Sequence, residues 1–249
     1  MRVMLIIAFH LGFLLTGAPY VWAQDDVRAI IEKAIEAHGG EKKINQRKAG
    51  QSKSTGIIHI MDGLKFNEEA SFQLPDKIKT VVQIEGKGQK VVFAVGFDGR
   101  KAWRTVNGQN DDRFVDKITE LMKEQLYVSR VARLVSLKDK EFELSPLGEL
   151  QVEGRPAVGV RISSKDHKDV NLYFDKKTGL IAKFEHRTVD LETGKEVSEE
   201  KIVTEYMERN GEKEAKKIMV NRDGQKFIEA EVLEAKYVDK IDDSEFAKP

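Results

Sequence analysis

The chain has 249 residues, 40% hydrophobic and 34% charged, with 42 Lys plus Arg against 42 Asp plus Glu and no cysteine. Balanced charge without long like-charge blocks argues against a nucleic-acid groove or a membrane-surface patch. The lack of cysteine excludes a disulfide framework, thiolate metal sites and a cysteine nucleophile.

Taken in order, Met1-Arg2 precedes an apolar run from Val3 to Leu15, Thr16–Pro19 breaks it, and Val21-Trp22-Ala23 offers a cleavage site. Residues 1–23 therefore read as a signal peptide cut before Gln24. The alternative is a single membrane anchor, but His10, Gly12, Thr16, Gly17 and Pro19 interrupt a segment that would need about 20 unbroken apolar residues. With no cysteine to accept lipid, the product is expected to be periplasmic, exported and soluble. Residues 24–249 are enough for a single domain with a sizeable core.

Asp25-Asp26 opens a predicted helix whose face carries Val27, Ile30, Ile31, Ala34, Ile35 and His38, closed by Gly39-Gly40. Glu41–Arg47 adds a short helical turn. From Lys48 to Val106 the period becomes two: Leu64, Phe66, Ala70, Phe72 and Leu74 share one face, and Ile78, Val82, Ile84, Val91, Phe93, Val95 and Phe97 continue it. Asp62-Gly63, Pro75-Asp76, Gly86–Gly88, Asp98-Gly99 and Asn107-Gly108 punctuate this stretch, which predicts an antiparallel meander of about five strands.

Arg113–Lys138 is the longest predicted helix. Phe114, Ile118, Leu121, Met122, Leu126, Val128, Val131, Ala132 and Val135 form a broad apolar stripe, with Lys117, Glu120, Lys123, Glu124, Arg130 and Arg133 mostly between them. Seven further strands are expected: Glu141–Leu147, Ala157–Ser164, Val170–Asp175, Leu180–Asp190, Val197–Met207, Ala215–Asn221 and Lys226–Val238. The apolar phase of the last slips after Val232, which predicts a bulge or bend. The fold class is α+β: a curled antiparallel sheet, an unclosed β-barrel of about 11–12 strands, wrapped over helices that plug its apolar face.

No catalytic signature emerges. His38, His59, His167 and His186 sit on different predicted elements and form no HExxH pair, so no metal is expected. There is no GxSxG elbow, and Gly86-Lys87-Gly88 reads as a hairpin turn and not a dinucleotide loop. Asp239, Asp242 and Asp243 lack the glycine of a calcium loop and read as a solvated tail. No cofactor is expected, and the chain is not read as an enzyme.

Strict alternation places Glu68 among Phe66, Ala70 and Phe72. Either it marks a polar spot in a pocket, or an exposed strand end or bulge turns it outward. Arg104, next to Trp103, poses the same question. The residues expected to line an apolar space between sheet and helix are Phe66, Ala70, Phe72, Ile84, Phe93, Trp103, Leu121, Met122 and Leu126, with Glu68 as the candidate polar residue. The same residues suit a packed core.

Val95-Gly96-Phe97-Asp98-Gly99-Arg100-Lys101-Ala102-Trp103, followed by a helix and Phe142-Glu143-Leu144-Ser145-Pro146, resembles the LolA/LolB-type periplasmic lipoprotein carriers. Leu172-Tyr173-Phe174-Asp175-Lys176-Lys177-Thr178-Gly179-Leu180 with Phe184-Glu185 is similar to their late hairpin. Ala37-His38-Gly39-Gly40-Glu41 and Ile241-Asp242-Asp243-Ser244-Glu245-Phe246 resemble an exported branch of that outer-membrane lipoprotein-sorting superfamily more closely still. These are turn and strand motifs, which specify fold better than activity. The resemblance implies an unclosed barrel with a helical lid over a cavity for acyl chains. The expected partner is a lipid acyl chain or a lipoprotein anchor, with an envelope protein to load or unload it, no nucleic acid, and a monomeric carrier. The competing expectation is an envelope scaffold with a packed core.

Overall fold

The computed structural model describes residues 21–60, 63–86, 88–191 and 193–249, with side chains from Asp26 onward. The expected signal peptide lies outside the described residues except at 21–23. Those three residues open α1 (Val21–Ala37), so the helix starts before the predicted Asp25-Asp26. Its stripe of Val27, Ile31, Ala34 and Ile35 is at most 3% exposed, as the three- and four-residue spacing requires. Gly39 and Gly40, at φ 113° and 88°, stop it in a backbone region that L side chains avoid. α2 (Glu41–Gln46) follows.

The first meander comprises β1 (Ala49–Ile58), β2 (Leu64–Gln73), β3 (Lys77–Gly86), β4 (Gln89–Phe97), β5 (Ala102–Val106) and the two-residue β6 (Gln109–Asn110). α3 (Val115–Ala132) then leads through a 3₁₀ turn, Val135–Lys138, to the second meander. This contains β7 (Phe142–Val152), β8 (Arg155–Ser164), β9 (Val170–Asp175), β10 (Ile181–Val189), β11 (Glu196–Arg209), β12 (Glu212–Arg222) and β13 (Gln225–Val238). A last 3₁₀ turn spans Asp243–Phe246.

The thirteen strands among the described residues form one antiparallel sheet in the order β6-β5-β4-β3-β2-β1-β13-β12-β11-β10-β9-β8-β7. The sheet is unclosed, with β6 and β7 as its edges, so the α+β unclosed-barrel architecture holds. The count exceeds the expected 11–12 by the short β6. The strand expected at Glu141–Leu147 runs on to Val152, because a register shift between Pro146 and Gly148 lets pairing with β8 resume. The long predicted helix is shorter than Arg113–Lys138 and passes into 3₁₀ geometry.

Each meander pairs strand with sequential strand, and the pairing of β1 with β13 joins them. There Ser54 pairs Val232 and Lys53 pairs Glu234, leaving Leu233 as the extra residue, where the apolar phase slips. α3 connects one edge of the sheet to the other. It packs on both β5 and β10. α3 thus lies across the face of the sheet between those strands.

The helix face carries two buried clusters. Val27, Ile31, Ile35, Tyr127 and Val131 pack on Val160, Ile162, Leu172, Phe174 and Ile181 of β8–β10. Ile118, Met122 and Leu126 pack on Phe97, Ala102 and Leu191. A third cluster, around Val152, Ala157, Tyr173, Ala182 and Ile202, lies on the outer face.

Candidate functional site

The candidate site is the trough on the helix face of β1–β4 and β10–β13. Directly paired residues in an antiparallel sheet share a face, so the register assigns the lining. Phe66 pairs Ile84, Glu68 pairs Val82, Ala70 pairs Thr80 and Phe72 pairs Ile78. Ile84 pairs Val91, Val82 pairs Phe93 and Ile78 pairs Phe97. Phe97, Ile78 and Val95 join the cluster under α3, which fixes this as the inner face. Phe66, Glu68, Ala70, Phe72, Ile84 and Phe93 therefore stand together as the alternation requires.

Phe66 is buried, and Ala70, Phe72, Ile84 and Phe93 are half-buried. None of these five belongs to a buried cluster. Gly56 pairs Phe66, and a Cβ there would come within 2.7 Å of the Phe66 ring, so the ring lies flat over bare backbone. On α3, Met122 and Leu126 pack on β4 and β5, whereas Leu121 is half-buried and joins no cluster.

Trp103 is a correction. It pairs Gly96, one step out of phase with the Val95–Arg104 pair, and so faces the outer side. Its indole Nε1 donates to the Phe246 carbonyl at 2.7 Å, and Phe246 is fully buried beside it. Alternation showed that Trp103 and Arg104 oppose each other but not which one points inward. The glycine opposite Trp103 was the available signal, because a bulky ring commonly covers a strand glycine. Arg104 is the inward one. Its guanidinium lies 5.5 Å from the Phe93 ring centroid and 3.6 Å from Asp111. Hydrogen bonds from Arg113 hold the Asp111 carboxyl down at about 2.

Glu68 is not turned outward, since β2 pairs both neighbours without a bulge. Its Oε1 accepts from Ser54 Oγ at 3.2 Å. Burial raises its pKa, opposed by the Ser54 hydrogen bond and the charge of Lys201. Lys201, which sequence reasoning missed, reaches the trough from β11, where it pairs the inward Phe184.

His186 of β10 is 7% exposed, and neither ring nitrogen has a partner among the described residues. Burial lowers its pKa against the pull of Glu199. Glu199 is itself held by Arg222 at 3.0 Å.

The remaining histidines and the C-terminal aspartates make local contacts. His38 hydrogen-bonds Ala34 O at 2.7 Å, His59 meets Glu229 at 2.8 Å, and His167 meets Glu124 at 3.1 Å while stacking on Tyr127. Asp242 caps the last 3₁₀ turn by accepting from Ser244 N, and Asp243 pairs Lys77 at 2.8 Å. Among the described residues, no group of three His, Cys, Asp or Glu is placed to hold a metal ion. No helix among them is long and apolar enough to cross a membrane.

Two grooves open on the outer face. One, of about 430 Å³, lies between β1–β3 and the C-terminal turn, with Ser71, Lys79 and Glu245 in its wall. The other, of about 690 Å³, is lined by Ile57, Lys217, Met219 and Glu229. Charged side chains of both signs line each, so neither is the apolar space expected between helix and sheet.

No family model matches the chain, and no curated protein sequence does. Solved structures do match. A LolA superfamily protein from Nitrosomonas europaea superposes with TM-score 0.55 at 13% identity, covering 89% of this chain and 97% of that one. A DUF1329 family protein from Desulfovibrio piger gives TM-score 0.50 at 13% identity, with the same coverages. A putative outer membrane lipoprotein-sorting protein domain from Vibrio parahaemolyticus gives 0.47 at 10% identity, covering 87% of this chain and 97% of that one. An unclosed antiparallel sheet with a helix linking its two edges, matched along nearly its whole length, gives this chain a LolA-like fold.

Proposed function

We propose that residues 24–249 form one periplasmic, non-enzymatic binding or carrier domain that holds an acyl chain in the trough between sheet and helices. The observation that supports this reading is the half-buried apolar face of β2–β4. Ala70, Phe72, Ile84 and Phe93 sit there on the inner face without joining any packed cluster. A contiguous apolar surface left partly open is unfavourable in water unless something covers it. Each methylene laid on it would contribute about 0.8 kcal/mol, so one long chain could be held without covalent chemistry. The resemblance to lipoprotein carriers points to a lipid or a lipoprotein anchor as cargo, exchanged with an envelope partner.

Ala70→Trp tests this reading. It adds bulk on the inner face between Phe66 and Phe72. If the trough takes an acyl chain, the variant should melt within a few degrees of the wild type and bind a fluorescent fatty acid at least tenfold more weakly. If the space is packed, as in a scaffold protein, overpacking should cost about 1–3 kcal/mol. The wild type should then not bind the probe at all.

A further inference from the structure

A row of polar side chains crosses the sheet from β10 to β12. His186 pairs Glu199 directly, and Glu199 pairs Arg222. Directly paired residues share a face, and Val170, which pairs His186 from β9, belongs to the cluster under α1 and α3. The row is therefore on the inner side. Glu199 accepts from Arg222 Nε at 3.0 Å, so these two satisfy each other. His186 is left over. It is 7% exposed, and neither ring nitrogen has contact with solvent or a hydrogen-bond partner among the described residues.

An unbonded polar group in the interior is costly, and this ring carries two. An apolar side chain would pack beside Val170 and Phe184 without that cost, so the imidazole calls for a bound group that completes it. The chemistry of the row restricts what that group is. Burial lowers the pKa of His186, and a neutral imidazole offers one N–H donor and one bare nitrogen acceptor. A carboxylate only accepts, so it would leave the bare nitrogen unmet and would lie next to Glu199. A hydroxyl both donates and accepts. The row also borders the open part of the trough. Leu191, just past β10, packs against the cluster of Phe97, Ala102 and Ile118 that Ile78 of β3 and Val95 of β4 also join.

We propose that His186 is the polar anchor of the acyl site and takes a neutral, hydroxyl-bearing head group, with Glu199 and Arg222 beside it excluding an anionic one. This rests on the trough being the acyl site. One hydroxyl donates to the bare imidazole nitrogen, and another accepts from the ring N–H. A pair of neutral hydrogen bonds of this kind corresponds to about a fivefold or greater change in affinity.

The test is a fluorescence titration of the full chain with cis-parinaric acid, its methyl ester and its 1-glyceryl ester. The wild type should bind the glyceryl ester at least fivefold more tightly than either of the others. His186→Leu should bind glyceryl and methyl esters equally, with methyl ester affinity within about twofold of the wild type. His186→Gln, which keeps a donor and an acceptor, should retain part of the preference. A glucosyl ester of the same chain separates a sugar head from a glycerol head, and a fivefold preference for either over the methyl ester supports the assignment. Equal binding of all the esters by the wild type would mean that an ordered water alone completes the ring, and would overturn the head-group assignment while leaving the acyl site standing. Tighter binding of the acid, or an undiminished preference in His186→Leu, would overturn it too. Failure of the wild type to bind any of the probes would overturn the acyl site itself, and this proposal with it. The wild-type comparison needs no variant, so the proposal remains testable if a substitution impairs folding.

Discussion

At the scale of single residues, the inner face is notable for the ionisable groups placed in apolar surroundings. His186 and Glu199 are each 7% exposed, and His186 has Val170 paired opposite it and Phe184 on its own strand. Glu199 and Lys201 face it from β11, Arg222 from β12 and Glu124 from α3. Burial depresses its pKa below the usual 6.5, so the unfolded chain takes up this proton first. The stability it contributes is thus complete above pH 6.5 and is lost as pH falls through the lower folded value. His38, depressed mainly by its own burial, acts in the same direction. We expect His186→Leu to flatten the decline in melting temperature below pH 6.5, removing up to about 1.4 kcal/mol per pH unit from the slope. Calorimetry across pH 7 to 5 measures this, and an unchanged slope would show that the ring is already solvated. A second residue-scale expectation concerns Gly96. A Cβ there would collide with the Trp103 indole, so Gly96→Val should cost about 1–3 kcal/mol in urea unfolding.

At the scale of elements, α3 divides into parts with different duties. Ile118 is 1% exposed within the cluster against β4 and β5, whereas Leu121 is half-buried and unclustered. Ile118→Ala should therefore cost about 3 kcal/mol and Leu121→Ala under about 1, read from urea midpoints at constant slope. Equal costs would mean that the helix packs evenly and leaves no open side. The C-terminal turn is the second element with a distinct duty. Phe246 is fully buried on the outer face, and Lys79 Nζ and Ser71 Oγ both donate to Glu245 at 3.2 Å. Phe246→Ala should cost about 3–5 kcal/mol and shift Trp103 emission to longer wavelength, as water reaches the indole.

Much of this was legible because it is local. Period-two alternation placed Phe66, Glu68, Ala70, Phe72, Ile84 and Phe93 on one face, and the phase slip after Val232 located the bulge at Leu233. Three- and four-residue spacing found α3. The rest depends on pairings between residues far apart in sequence. Which of Trp103 and Arg104 points inward depends on where Phe246 folds back. That Lys201 and Glu68 share one face depends on β1 pairing with β13, since only that joint brings the two meanders into one sheet. Six or seven residues of alternation carry no information about either.

At the scale of the whole molecule, two meanders run outward from the β1–β13 joint, and one helix ties their far edges. That connectivity lays α3 across one face of the sheet, an inner face that the helices cover only in part. The two ends of the trough differ accordingly: β7–β10 are sealed by α1 and the C-terminal half of α3, while β2–β4 keep half-buried apolar side chains. The central claim is that an acyl chain lies on this open part. Photo-crosslinking tests it most directly, using a long-chain fatty acid with a diazirine near its methyl end, followed by digestion and mass spectrometry of the adducts. The account predicts one adduct per molecule, on inner-face residues such as Phe66, Ile84, Phe93 or Leu121. Adducts confined to the outer grooves, at Ile57 or Met219, or no adduct at saturating probe, would contradict it.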